Sequence, residues 1–199
     1  MAKAATLAAR FIKSLKVPTG RLAGEPVKLA PYQTQFINGA FAPGINVGAL
    51  SVGRGNGKST LSAALALGEL LGAWSDATER EILIAAKTQQ QAQIAWHYVA
   101  SFIRTLPEEV QEAITIRRQP RFEIQFDDER GPHILRAMSA DGKSALGTSP
   151  TLAILDERGH WPLAQGDELE AALLTGLSKR DGRALIISTS ASSDAHPFS

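Results

Sequence analysis

The stretch SVGRGNGKST (residues 51–60) alternates Gly53, Gly55 and Gly57 with Arg54 and Asn56, then continues into Lys58, Ser59 and Thr60. Glycine inside a helix costs about 1 kcal/mol relative to alanine. A glycine run directly ahead of an alanine- and leucine-rich segment therefore predicts a loop that opens a helix. Such a loop lets successive backbone N–H groups converge on an anion, and the helix behind it adds its positive end. Lys58 can reach β- and γ-phosphates, and the Ser59 hydroxyl can sit on Mg²⁺. Gly53, Arg54, Gly55, Asn56, Gly57 and Thr60 complete the expected cradle. One position departs from G-x-x-x-x-G-K-[ST]: Val52 stands where the first glycine falls, with Gly53 beside it.

A second chemical feature lies about one hundred residues downstream. In TLAILDE (151–157) an apolar run ends in Asp156 and Glu157. Parallel α/β sheets bind ligands at the carboxyl ends of their strands. There Asp156 could hold Mg²⁺, and Glu157 could polarise a water for attack on a γ-phosphate. An Asp-Glu pair after an apolar run is weak evidence alone. Paired with GNGKS it is strong, because each motif predicts the other.

The elements that must position these residues follow from hydrophobic periodicity. NVGALSV (46–52), EILIAAK (81–87), TLAILDE (151–157) and RALIISTS (183–190) read as buried strands. A helix is predicted from Gly57 to about Leu71, with Leu61, Ala64, Leu65, Leu67 and Leu70 on its buried side. Another covers 88–106, with Thr88 as N-cap and Ile94, Tyr98 and Phe102 recurring at spacing four. GDELEAALLTGLSKR (166–180) reads as a helix with acids first and bases last, as the dipole prefers. Shorter helices are expected over 32–41 and near the N-terminus, where Phe11, Ile12 and Leu15 share a face. Residues 17–31 and 139–150 read as loops. ITIRR (114–118), FEIQF (122–126) and HILRAM (133–138) read as short strands, with the acids at 127–129 in a hairpin turn. Strands alternating with helices predict an α/β domain with a mainly parallel central sheet flanked by helices.

The composition excludes several classes. Of 199 residues, 44% are apolar and 21% charged, the balance of an ordinary globular domain. There is no cysteine, hence no disulfide framework, thiol nucleophile or thiolate metal site. No segment approaches the 18 apolar residues of a spanning helix. The formal net charge of +1 gives no global argument for nucleic acid, so any DNA contact must be local or arise in an oligomer.

Five segments in order resemble the large terminase subunit of tailed bacteriophages. These are LAPYQTQF (29–36), VGRGNGKST (52–60), AAKTQQQAQIAW (85–96), SADGKSALGTSPTLAILDERGHW (139–161) and IISTSA (186–191). The resemblance implies a P-loop NTPase fold of the ASCE, RecA-like kind. It also implies ATP hydrolysis with Mg²⁺, coupled to translocation of double-stranded viral DNA into a procapsid. The partners it implies are DNA, a small terminase subunit, a portal protein and further copies in a ring, and the location is the cytoplasm of the infected host. On this reading residues 1–28 are an N-terminal helix and linker and residues 29–199 the ATPase domain. The family's C-terminal nuclease domain is not expected within this chain, so DNA cleavage is not assigned. A helicase-like translocase and a nucleotide-binding switch with little hydrolysis are the alternatives.

The resemblance also assigns roles. Tyr32 and Gln33 stand on the adenine side, or are simply a buried aromatic with a surface amide beside it. Thr189 and Ser190 fall in the coupling motif, where hydroxyls also cap strand ends. A basic residue that completes a neighbour's site is expected in rings of this kind. Arg54 could serve in cis, and Lys143, Arg136 and Arg158 are candidates in trans, Lys143 first. His160 and Trp161 are expected in packing or DNA contact, since no second His lies at metal-ligand spacing from His160.

Overall fold

The apolar runs at 81–86, 152–156 and 183–188 are continuous rather than alternating because both faces of these strands are covered. The structure is a computed structural model that describes residues 3–118, 121–140 and 147–189. Among these residues the strands are β1 (Val47–Ser51), β2 (Glu81–Ala86), β3 (Ile114–Arg117), β4 (Glu123–Asp128), β5 (Gly131–Ser139), β6 (Leu152–Asp156) and β7 (Arg183–Ser188). They form one sheet in the order β1-β7-β6-β2-β5-β4-β3. The pairs from β1 to β5 are parallel, and β4 and β3 are added antiparallel at one side. Strand β7 thus lies between the strand that enters the glycine loop and the strand that ends in the acidic pair. The expected hairpin is present but later by two residues: Asp127 and Asp128 end β4 in register with Pro132 and Gly131, and the turn is at Glu129 and Arg130.

The helices are α1 (Lys3–Ser14), α2 (Pro31–Ala40), α3 (Lys58–Leu70), α4 (Gln89–Ile103), α5 (Glu108–Glu112) and α6 (Leu163–Ser178). One face of the sheet carries α1 to α4 over Ile82, Ile84, Leu135, Ile154, Leu185 and Ile187. On the other face Leu169, Leu173 and Leu177 of α6 pack with Leu83, Ala153, Leu155 and Ile186. Helix α3 is buried from Leu61 to Leu70 on every side, because it is wedged between the sheet, α4 and α1. That is why LSAALALGEL (61–70) has almost no polar face.

Local rules fail at four places. Ile94 is half exposed rather than core, since the inward face of α4 is set by Ala92, Ala95, Trp96, Val99 and Phe102. Helix α6 starts at Leu163 behind Pro162, so its first turn holds no acid. Its carboxylates Asp167 and Glu170 instead bind Arg158. Helix α5 is only five residues long, too short for a periodicity to register. Strand β6 ends at Asp156, one residue before Glu157.

Helix α1 belongs to the same core as the sheet. Ala5, Ala8, Ile12 and Leu15 are buried with Phe36, Ile37 and Leu61. The segment after it is tied back by a bridge between Lys16 and Pro26.

Candidate nucleotide-binding site

The glycine loop is pinned at its entry by the Val52 amide, which donates to the Ser188 carbonyl at 3.0 Å. Gly55 and Gly57 take the left-handed region, with φ of 77° and 72°, which explains glycine at both. Gly57 is the N-cap of α3, so the first-turn amides of that helix open towards the loop. Asn56 ties the loop internally, its side-chain amide donating to the Gly53 carbonyl at 3.2 Å. The Tyr32 hydroxyl donates to the Asn56 carbonyl from outside.

Lys58 is the first residue of α3 and is only 8% exposed. Its ammonium donates to the carbonyls of Val52 and Gly53 at 3.2 and 3.1 Å. It also lies 3.4 Å from a Glu157 carboxylate oxygen. The loop lysine and the acidic pair, separate in sequence, therefore meet across β7.

Glu157 leaves β6 in the left-handed region, φ 53° and ψ 40°, a conformation that costs a non-glycine residue about 1–3 kcal/mol. Its amide donates to the Ile187 carbonyl at 2.7 Å. Its carboxylate then accepts from the Thr189 amide at 2.8 Å and the Thr189 hydroxyl at 2.9 Å. Burial alone would raise this carboxyl, but the two Thr189 donors and Lys58 hold it below the ordinary range. Asp156 behaves oppositely. Burial, then the adjacent Glu157 charge, push it up to about 6, with Lys58 acting against them. Its Oδ1 is buried and has no hydrogen-bond partner among the described residues. Neighbouring carboxylates are thus driven apart, with Glu157 the readily ionised one.

Three further residues shape this corner. The His160 Nε2 lies 2.5 Å from the Thr189 hydroxyl and 3.8 Å from Glu157. Since that hydroxyl has one proton and gives it to Glu157, His160 is the donor to Thr189. The Ser188 hydroxyl accepts from the Gly159 amide at 3.0 Å. The Trp161 indole donates to the Asp156 carbonyl at 3.0 Å. The packing expected of Trp161 is present. His160, however, sits in the site, and the sole signal for it in the sequence was its position three residues after Glu157.

Other expected residues fall as follows. Ser59 and Thr60 lie half buried on the first turn of α3. The Gln33 Oε1 accepts from the Ala30 amide at 2.9 Å, and its Nε2 lies 3.5 Å from where a Cβ on Gly57 would stand. Gln33 also borders a cavity of about 280 Å³ whose apolar walls include Ile12, Val27, Leu29 and Leu61 and which reaches Gly57 and Thr60. Arg54 is exposed on the loop. Lys143 and Ser190 lie outside the described residues. One finger candidate, Arg158, is corrected, and Arg136 is found in ion pairs of its own chain. Arg158 is 3% exposed, bound by Asp167 and Glu170 and stacked over Trp161. Arg136 is bound by Glu81 and Glu123. The Arg158 guanidinium is therefore enclosed in its own subunit, whereas Arg136 stays at the surface with 37% of its side chain exposed.

The phosphate loop, the acidic pair and the intervening strand coincide with a family match. Residues 43–197 match the model described as "Terminase large subunit, ATPase domain". This chain belongs to that family. It is 32% identical over 182 residues to the terminase large subunit of Enterobacteria phage HK97, a match covering 90% of this chain and 35% of that protein. The crystal structure of the HK97 large terminase superposes with a TM-score of 0.80 at 28% identity, covering 96% of this chain and 39% of that one. The large terminase ATPase domain of Thermus phage P74-26 superposes at 0.63 with 28% identity over 81% of this chain and 64% of that one. The UvsW helicase of bacteriophage T4 gives 0.56 at 13% identity, covering 90% and 58%, a likeness of fold alone. The chain spans about a third of the length of the curated terminase it matches. Among its described residues no helix is long and apolar enough to cross a membrane.

Proposed function

We propose that this terminase ATPase domain binds ATP with Mg²⁺ and hydrolyses it to move double-stranded DNA into a phage procapsid. It would work as one subunit of a ring, in the host cytoplasm, with a small terminase subunit and a portal as partners. The observation that carries the catalytic part is the convergence of Lys58, Asp156, Glu157 and Thr189 at the mouth of a glycine loop that opens a helix.

The roles follow from this geometry. The amides of residues 53–60 and the α3 dipole receive the β- and γ-phosphates. Lys58, now satisfied by its own loop carbonyls, exchanges them for phosphate oxygens. Asp156 and Ser59 fit a divalent cation, because the orphaned, buried Asp156 Oδ1 requires a positively charged or donating partner. Held there, Mg²⁺ would supply positive charge against the negative charge that develops on the phosphates. Glu157, ionised and aimed by Thr189, orients a water and takes its proton as it attacks the γ-phosphorus, while the bond to the bridging β-phosphate oxygen breaks and ADP leaves with those electrons. Loss of the γ-phosphate changes what Thr189 faces, which is how hydrolysis would reach β7 and beyond. The cavity beside Gly57 suits a base on its apolar walls, with Gln33 at its rim and Tyr32 bracing the loop. Arg54 in cis, and Lys143 first among the candidates in trans, would complete the charge around the phosphates.

The test is steady-state ATP hydrolysis with Mg²⁺ across protein concentration, for the parent chain, Glu157→Ala and Lys58→Ala. A rate per chain that rises with concentration and is lost in both variants is expected. Loss of general-base catalysis should lower kcat by about 10²–10⁴, while Glu157→Ala keeps ATP affinity and Lys58→Ala loses it. ATP binding that depends on Lys58 but never leads to hydrolysis would favour the switch instead.

A further inference from the structure

Charge is spread very unevenly along this chain. Six of the 21 basic side chains, but one of the 20 acidic ones, fall in residues 1–28, so this segment carries +5 and the remainder −4. Lys3, Arg10 and Lys13 lie on α1, and Lys16, Arg21 and Lys28 follow it. All six are exposed, and none makes an ion pair or a side-chain hydrogen bond among the described residues.

The helix arranges them further. At 3.6 residues per turn, Lys3, Thr6, Arg10 and Lys13 fall within about 80° of one another. A shallow groove along this stripe is lined by Thr6, Ala9, Arg10, Lys13, Ser14 and, from α2, Asn38. The opposite face is already used, since Ala5, Ala8 and Ile12 are buried in the core. The apolar side therefore cannot enter a membrane, and the basic side is a ridge fixed to the domain. Lys3 to Lys13 span about 15 Å, over which one DNA strand presents about four phosphates. In the other basic group, on β3 to β5, Arg117 and Arg136 bind Glu123, Arg136 binds Glu81 and Arg130 binds Asp76, while Arg118 and Arg121 between β3 and β4 are exposed and serve as the comparison.

We propose that the exposed face of α1, with Asn38 beside it, is a contact surface for the phosphate backbone of double-stranded DNA. The identity of the polyanion rests on the motor reading. The location rests on the charge distribution and on the burial of the apolar face. Contacts of this kind carry no base specificity, as a translocating domain requires. The same segment supplies Ile12, Val17, Leu22 and Val27 to the wall of the cavity beside Gly57, so the ridge and the nucleotide site share one support.

The experiment is the salt dependence of duplex binding by the whole chain, read as fluorescence anisotropy of a labelled random-sequence duplex. The parent is compared with Lys3→Gln/Arg10→Gln/Lys13→Gln and with a control, Arg104→Gln/Arg118→Gln/Arg121→Gln. Circular dichroism and ATP binding are measured on the same samples. Each phosphate contact contributes about 0.9 to the slope of log K against log salt, so the α1 variant should lose about 2–3 from the slope and the control should keep the parent's. An unchanged slope in the α1 variant, loss confined to the control, or no duplex binding by the parent at low salt would overturn the proposal. So would binding of poly-glutamate with the same slope, which would make the ridge a general polyanion surface. A chain that hydrolyses ATP yet fails here leaves the ATPase reading standing without the DNA contact. A chain that binds DNA through α1 but never binds ATP keeps the contact surface and sinks the ATPase reading.

Discussion

At the scale of single residues, the site is built on two neighbouring carboxyls driven in opposite directions. Asp156, raised to about 6 from an ordinary 3.8, keeps a proton in the folded chain between about pH 4 and 6 that the unfolded chain has lost. Stability therefore falls as pH rises through that window, and the whole cost is present above it. Asp156→Asn should stabilise the ligand-free chain by about 1–3 kcal/mol at pH 7.5, with the difference vanishing near pH 4, as read by denaturant unfolding. An equal gap at both pH values would mean that charge burial is not its origin. His160 gives a second prediction. By donating to Thr189 it fixes the hydroxyl that aims Glu157. His160→Ala should lower kcat about tenfold, the worth of one such hydrogen bond, with KM for ATP little changed. His160→Gln, which keeps a donor, should recover most of the rate. Equal losses in both variants would assign His160 to packing.

Among the elements, the position of α3 matters most, because it carries Lys58 into the site. Gly68 lets it pack closely: a Cβ there would meet the Trp74 ring at 2.3 Å and Phe11 at 2.9 Å. Trp74 cannot easily move aside, since Phe11 and Phe41 both hold it edge to face. Helix propensity alone favours Gly68→Ala by about 1 kcal/mol. Overpacking of this order costs about 1–3 kcal/mol. The net expectation is a destabilised variant with α1 loosened, seen as lower unfolding midpoints and faster amide exchange in residues 3–14. A more stable variant would show that Trp74 yields. The turn after β6 is the other decisive element. Arg158, bound to Asp167 and Glu170, anchors it to α6, while Ser188 and Trp161 brace it through the Gly159 amide and the Asp156 carbonyl.

Over the whole molecule, the sheet order brings distant segments to one edge. Strand β7 separates β1 from β6, so Thr189 emerges between the glycine loop and the acidic pair. Among the described residues, Lys58 and the carboxylates converge at the proposed phosphate position, and Arg54 is exposed on the loop beside them. A site so arranged gains from a neighbour, which is the physical reason to expect activity per chain to climb with protein concentration. The charge asymmetry belongs to this scale too. A near-neutral total conceals a basic ridge and an acidic remainder, and such a division favours oriented contact with a polyanion over indiscriminate adhesion.

The local chemistry of the chain was legible in its sequence. Glycines at 53, 55 and 57 demand a loop, a leucine- and alanine-rich run after Lys58 demands a buried helix, and TLAILDE and RALIIS demand two-sided burial. Motif order was enough to give the parallel α/β class and the pairing of GNGKS with Asp156 and Glu157. Contacts set by the turn at 157–161 were not legible. Its left-handed Glu157, the donation from His160 and the capture of Arg158 by α6 depend on how β6, β7 and α6 pack together. The same holds for Arg136, whose carboxylate partners on β2 and β4 lie 55 and 13 residues away. Periodicity reports which face of an element is buried, but a side chain's partner across the fold is fixed only when tertiary packing closes the distance. That is why the residues proposed to bear the chemistry could be picked out from the sequence, while the contacts that orient or sequester them were decided by the folded structure.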